Sequence, residues 1–118
     1  MKRMTIRIKN LRLRAIVGIF DWERTNPQDV LVNIAMDFDA TAAARSDDID
    51  DTVDYKAVKK KIIQHVESSN YQLVEKLAST VLDLVMEDQK VLSATVEIDK
   101  PHALRFADSV SVSLTATR

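Results

Sequence analysis

Cysteine is absent from this 118-residue chain, which removes disulfides, thiolate nucleophiles and cysteine-ligated metals together. Glycine is almost absent. Gly18 stands alone, whereas a phosphate-cradling loop or a dinucleotide fingerprint needs several glycines. The only histidines, His65 and His102, lack the paired spacing of common zinc motifs, so no metal centre is expected. No stretch approaches the ~20 apolar residues of a membrane span. The opening MKRMTIRIKN alternates charged with apolar residues where a signal peptide would be continuously apolar. A surplus of charge is missing too: 17 basic against 18 acidic side chains give a net charge of -1, with no global attraction to nucleic acid or an anionic membrane. These absences lead to the expectation of a single cytoplasmic globular domain over residues 1–118, without a cofactor. Its 46% hydrophobic and 30% charged residues are ordinary for such a domain.

What is present is periodicity. Ile6 and Ile8 alternate with Arg7 and Lys9, and Leu11 and Leu13 resume in the opposite phase. A bulge near Lys9 and Asn10 would restore the facing. Val30, Val32, Ile34, Met36 and Phe38 keep a strict period of two and predict a half-buried strand. VLSATVEID and FADSVSVSLTA predict two more strands. Between the strand pairs, Tyr55, Val58, Ile62 and Val66 follow helical spacing, with Asp54 as N-cap. Leu73, Leu77, Val81 and Leu84 mark a second helix beyond the break at residues 68–70. The acidic RSDDIDDTVD lacks the glycine and spacing of a calcium loop and is expected to be a solvated helix cap. Together these elements predict an α+β domain of order ββααββ, a four-stranded antiparallel sheet with two helices on one face. The other face is left uncovered, and its mixed side chains suggest a sheet continued by neighbouring subunits into a barrel without edges.

Few residues are available for chemistry. Lys100 precedes Pro101 where a strand ends. Such a lysine either blunts a sheet edge or, held rigidly, serves as a general acid or base. The twelve residues GIFDWERTNPQD exceed what a hairpin requires and carry Glu23, and Phe20 and Trp22 among them are expected to cap the core. Tyr55 heads the first helix. Glu75, in the first turn or so of the second, points away from its apolar stripe at ~100° per residue. Alone it is a surface glutamate; if it works, the pocket lies at a boundary between subunits. His65, beside the apolar stripe of the first helix, is expected to be structural.

The blocks GIFDWE, SDDIDDTVDY, LVEKLA and DKPHALRFADSVSV, in that order across nearly the whole chain, resemble the dihydroneopterin aldolase family, which includes the dihydroneopterin triphosphate 2′-epimerases. The resemblance implies the tunnelling fold, in which four subunits join their sheets into a barrel and two rings commonly stack. A homo-tetramer or homo-octamer with active sites between subunits is then expected, with a small pterin as substrate. By position, Glu75 matches the carboxylate that receives the pterin's amino and ring N–H groups, with the Val74 backbone beside it. The Val53 backbone and the Tyr55 phenol would come from the neighbouring subunit. Glu23 matches the acid of the loop and Lys100 the catalytic lysine.

The resemblance also implies a reaction. The C=N bond between N5 and C6 of a 7,8-dihydropterin is itself an electron sink, so C1′–C2′ can break without a lysine Schiff base or a metal. Glycolaldehyde leaves in the aldolase; if it turns and adds back through its other face, C2′ is inverted. FDWE looks like the aldolase, whereas RIKNLRLR, IIQHVE and KPHALRFADSVS look more like the epimerase. The aldolase is the favoured reading, because the loop lies next to the reacting atoms. Arg105 either meets a phosphate of the triphosphate or is an ordinary surface arginine. A non-catalytic pterin-binding protein and a zinc-dependent relative of the same fold, such as a pyruvoyl-tetrahydropterin synthase, are the remaining alternatives. The histidine ligand set of the latter is not visible in the chain.

Overall fold

The computed structural model describes residues 1–118, with one antiparallel sheet of order β1-β2-β3-β4. The strands are β1 (Arg3–Ala15), β2 (Gln28–Asp39), β3 (Val91–Pro101) and β4 (Ser109–Thr117). Two long helices, α3 (Tyr55–Glu67) and α4 (Val74–Met86), lie between β2 and β3 in the chain. The order is richer than the ββααββ expected, because α1 (Asp21–Thr25) follows β1, and α2 (Thr41–Ser46) and a 3₁₀ turn (Ile49–Asp51) precede α3. Helices of one turn are too short to show an apolar period, which is why the residue pattern conceals them.

The phase change in β1 is absorbed by a bulge. Pairing with β2 steps from Ile8↔Ile34 to Leu11↔Val32, leaving Lys9 and Asn10 opposite Asn33. Asn10 adopts φ 52°, a region asparagine tolerates better than most residues. Its N–H donates to Asn33 Oδ1 at 2.8 Å, so the extra residue leaves no unsatisfied donor. Ile6, Ile8, Leu11 and Leu13 can then all serve one core.

That core lies between the sheet and the two long helices. Val30, Val32, Ile34, Met36 and Phe38 are buried, as their period of two requires. They join Val58, Ile62 and Val66 of α3 and Leu77, Ala78, Val81, Leu82 and Val85 of α4 in one cluster of 22 buried residues. α3 packs against β1, and α4 across β3 and β4. The buried stripe of α4 differs from Leu73, Leu77, Val81 and Leu84. Leu73 is the N-cap and exposed, Leu84 is only half-buried, and Ala78, Leu82 and Val85 take the inner positions. The cause is a broad apolar face packed against both sheet and α3, where single four-residue spacing captures only one edge. In α3 the stripe likewise begins at Val58, and Tyr55 stays 52% exposed.

The second sheet face carries Arg7, Asn33, Ala35, Thr95, Glu97 and Ser113 around a shallow recess of about 250 Å³. β1 and β4 are the outer strands, each with one unpaired edge. No helix is long and apolar enough to cross a membrane.

Candidate active site

Glu23 and Lys100, 77 residues apart in sequence, form a buried ion pair. Lys100 Nζ donates to Glu23 Oε2 at 2.5 Å, and the two residues are 8% and 5% exposed. Lys100 sits where β3 ends, on the face shared by Val96 and Ile98, so its stem runs inward and only its ammonium reaches the sheet end. Pro101 follows, pairs with Ser109 and closes the strand. An edge-blunting lysine would be exposed; this one is inside.

Glu23 arrives by a different route. α1 is a five-residue helix whose single buried side chain is Glu23. Phe20 and Trp22, expected to cap the core, are 62% and 58% exposed instead. Turning the carboxylate of so short a helix inward turns its neighbours outward, and pairing with Lys100 compensates the burial of the charge. Gly18 makes room. Its φ of 146° is strained for a residue with a side chain, and a Cβ there would collide with the Glu23 carboxylate.

The carboxylate is fully engaged. Oε1 accepts from the Phe20 N–H at 3.2 Å, and Oε2 also accepts from Gln28 Nε2 at 3.4 Å. Burial pushes the Glu23 pKa up, but the hydrogen bonds from Lys100, Phe20 and Gln28 and the lysine charge together outweigh it and hold the group below its ordinary value. Glu23 is therefore ionised at neutral pH.

Arg24 ties this loop to the entry of α4. One guanidinium donates to the carbonyls of Gly18 (3.0 Å), Tyr71 (3.0 Å) and Asn70 (2.5 Å), and the Gly18 N–H donates to the same Tyr71 carbonyl. The Tyr71 hydroxyl in turn meets His65 Nε2 at 2.8 Å, which gives His65 the structural place expected of it. Gly18, Arg24, Gln28 and Tyr71 were not singled out as site residues. The one signal was Gly18, a lone glycine five residues before an acid in a long loop.

Val74 and Glu75 start α4 four residues or fewer beyond Tyr71, beside the loop. The N-cap, Leu73, offers no side-chain acceptor, so the first N–H groups of α4 are open to a ligand. Glu75 is exposed and makes no hydrogen bond or ion pair within the chain. Val53 buries its side chain completely, and Tyr55 starts α3 behind the Asp54 cap. No hydrogen bond within the chain joins Tyr55 or Glu75 to the Glu23–Lys100 pair. The fold thus brings together two of the expected site residues, leaves Tyr55, Glu75 and Arg105 exposed and Val74 half-buried, and buries the Val53 side chain. Arg105 lies farther out, with its guanidinium 5.4 Å from the ring centre of Phe106, itself 98% exposed. No group of three His, Asp or Glu side chains converges as a ligand set for a metal ion.

A buried carboxylate–ammonium pair beside a helix entry with free N–H groups can exchange protons with a small polar substrate. Comparison with known proteins shows the family. Residues 6–115 match the family model described as FolB, dihydroneopterin aldolase. The chain is 50% identical over 113 residues to the dihydroneopterin triphosphate 2′-epimerase of Escherichia coli K12, covering 96% of this chain and 94% of that protein. Identity to the dihydroneopterin aldolase of the same strain is 31% over 105 residues, covering 89% and 86%. The atomic-resolution crystal structure of E. coli dihydroneopterin aldolase in complex with neopterin superimposes with a TM-score of 0.91 at 29% identity, covering 96% of this chain and 98% of that one. This chain belongs to the dihydroneopterin aldolase (FolB) family.

Proposed function

We propose that the protein breaks and remakes the C1′–C2′ bond of a 7,8-dihydropterin at the Glu23–Lys100 pair, and that its main outcome is inversion of C2′ in dihydroneopterin triphosphate. The observation that carries the chemistry is the pair itself, an ionised carboxylate and an ammonium held in contact away from bulk water. The identity of 50% to an epimerase against 31% to an aldolase favours epimerisation over the cleavage that FDWE suggests.

Glu23 and Lys100 exchange protons at the 2′-hydroxyl and at N5. Loss of the hydroxyl proton lets the C1′–C2′ electrons flow through C6 to N5, which takes up a proton. C2′ becomes an aldehyde and C1′ one end of an enamine. For epimerisation the aldehyde turns and C1′ attacks its other face, the oxygen regains a proton, and N5 loses one. For cleavage C1′ must be protonated instead, the step assigned to Tyr55, and the aldehyde leaves. Cleavage of free dihydroneopterin is the second reading, supported by the likeness to the aldolase that holds neopterin.

Glu75 receives the amino and ring N–H groups of the pterin, with the Val74 backbone beside it. The Val53 backbone and Tyr55 come from a neighbouring subunit, and Arg105 stands at the rim where phosphates emerge. The uncovered sheet face, the open edges of β1 and β4 and the isolation of Tyr55 and Glu75 from the pair support a homo-tetramer or homo-octamer whose sheets close into a barrel. Sedimentation should show that assembly; an active monomer would refute the shared site.

Glu75→Ala is expected to weaken binding of unsubstituted pterin roughly 10–100-fold, the scale of a lost charge-assisted contact, while the assembly persists. Fluorescence titration measures it. Unchanged affinity would place the ring elsewhere.

A further inference from the structure

RIKNLRLR on β1 and KPHALRFADSVS, which runs from the end of β3 into β4, two of the segments most like the epimerase, meet beside the Glu23–Lys100 pair. A cleft of about 270 Å³ lies there, its walls including Arg14, Trp22, Gln28, Asp29, Pro101 and His102. It adjoins the pair without being lined by it. Gln28 lines the cleft and donates to Glu23, while Trp22 and Pro101 are chain neighbours of Glu23 and Lys100. Its volume falls just below the ~300 Å³ at which drug-sized ligand sites begin, so it suits a polar substituent better than a ring system.

The cleft lining sets one cation, Arg14, against one anion, Asp29, and Arg12 reaches Asp29 from the neighbouring recess. Asp29 divides its oxygens between two arginines: Oδ1 accepts from Arg14 Nη1 at 3.1 Å and Oδ2 from Arg12 Nη1 at 3.0 Å. Two cations sharing one carboxylate leave a net charge of about +1. Arg14 Nη2 donates to the Pro27 carbonyl at 2.9 Å, which fixes the direction of its fork. Both arginine side chains are 62% exposed, leaving further N–H donors in solvent. His102 lines the same cleft. Its backbone has φ 62°, a conformation uncommon for histidine, and its N–H donates to the Asp108 carbonyl at 3.4 Å. A neighbouring recess, also walled by Pro101 and His102, sets Asp99 and Asp108 against Arg12 alone, and that excess of carboxylates disfavours anions there relative to the Arg14 cleft.

We infer that this cleft is a polyphosphate subsite, in which Arg14 and His102 hold a phosphate chain and Arg12 neutralises Asp29 so that the charge of Arg14 faces the ligand. The inference rests on the pterin side-chain reading, because a substrate reacting at C1′–C2′ against the pair would project its 3′-oxygen substituent from that point. An arginine fork matches phosphate oxygens in pairs, which a diol tail cannot reproduce. The subsite would select the triphosphate over the free pterin without taking part in bond breaking.

Two substrates and one simple anion test it. In Arg14→Gln, and in His102→Asn, which can keep the left-handed backbone, the KM for dihydroneopterin triphosphate should rise roughly 10–100-fold. The KM for free dihydroneopterin and the kcat values should stay as in the wild type. Inorganic tripolyphosphate, followed by calorimetry, should bind the wild type and not Arg14→Gln. Equal losses for both substrates, or none for either, overturn the subsite, as does wild-type protein that turns over the triphosphate without binding tripolyphosphate. Tripolyphosphate binding that depends on Arg14, in a protein that turns over neither pterin, upholds the subsite and sinks the pterin reading instead.

Discussion

Replacing Lys100 by alanine is expected to lower turnover roughly 10²–10⁴-fold for epimerisation and cleavage alike, the usual scale for losing a general acid or base. Both outcomes should fall together because the proposed mechanism takes both through the same broken C1′–C2′ bond. Borohydride should trap no adduct on the wild type, since the N5=C6 bond of the dihydropterin takes the electrons that a lysine Schiff base would otherwise accept. Single-turnover kinetics on each substrate measure the loss. A trapped adduct on Lys100, or a variant that keeps one activity at full rate, would contradict the assignment. The fold should survive, because removing Lys100 leaves Glu23 hydrogen-bonded to Phe20 and Gln28 and free to take up a proton.

Glu23→Ala is expected to cost roughly 3–5 kcal/mol of stability at neutral pH, because it leaves the buried Lys100 ammonium without its partner. That is a large share of the ~5–15 kcal/mol typical of a domain. Adding Lys100→Met should recover much of the stability and none of the activity, which separates the pair's structural cost from its chemistry. The pH dependence follows from the lowered pKa of Glu23. Its contribution is fully present above the ordinary value of 4.5 and is lost as pH falls from there through the lower folded value. Denaturant unfolding at fixed protein concentration should therefore show the gap between wild type and Glu23→Ala closing in acid. A gap that stays constant or widens as pH falls would show that the pair is not what stabilises the loop.

How far the residues announce this arrangement depends on the range of the interaction. The bulge at Asn10 and the core strand from Val30 to Phe38 are written in local alternation, because each side chain's facing follows from its neighbours two positions away. The buried face of α4 was only partly legible: Leu84 and Ala78 are both apolar, and packing against two surfaces decides which one turns inward. Phe20 and Trp22 misled because apolar type predicts burial only where an element is long enough to have an inner face. The meeting of Glu23 with Lys100 is not encoded in any local pattern. Loop length and the strand-end position single out both residues and the family resemblance gives them roles, but only the fold shows that they touch, that Gly18 clears the space and that Arg24 holds the loop in place.

The proposed chemistry inverts C2′ by breaking a carbon–carbon bond and not by removing its hydrogen. Incubation of dihydroneopterin triphosphate with the protein in D₂O, in the presence of a chelator and followed by NMR, tests this directly. Retro-aldol inversion keeps the original hydrogen on C2′, because that carbon passes through an aldehyde and never loses it, and any cleaved pterin gains one solvent deuterium at C1′. An epimer that retains C2′–H, beside cleavage product labelled at C1′, is the predicted result. Deuterium at C2′ of the epimer would mean direct deprotonation there and would contradict the role given to the Glu23–Lys100 pair.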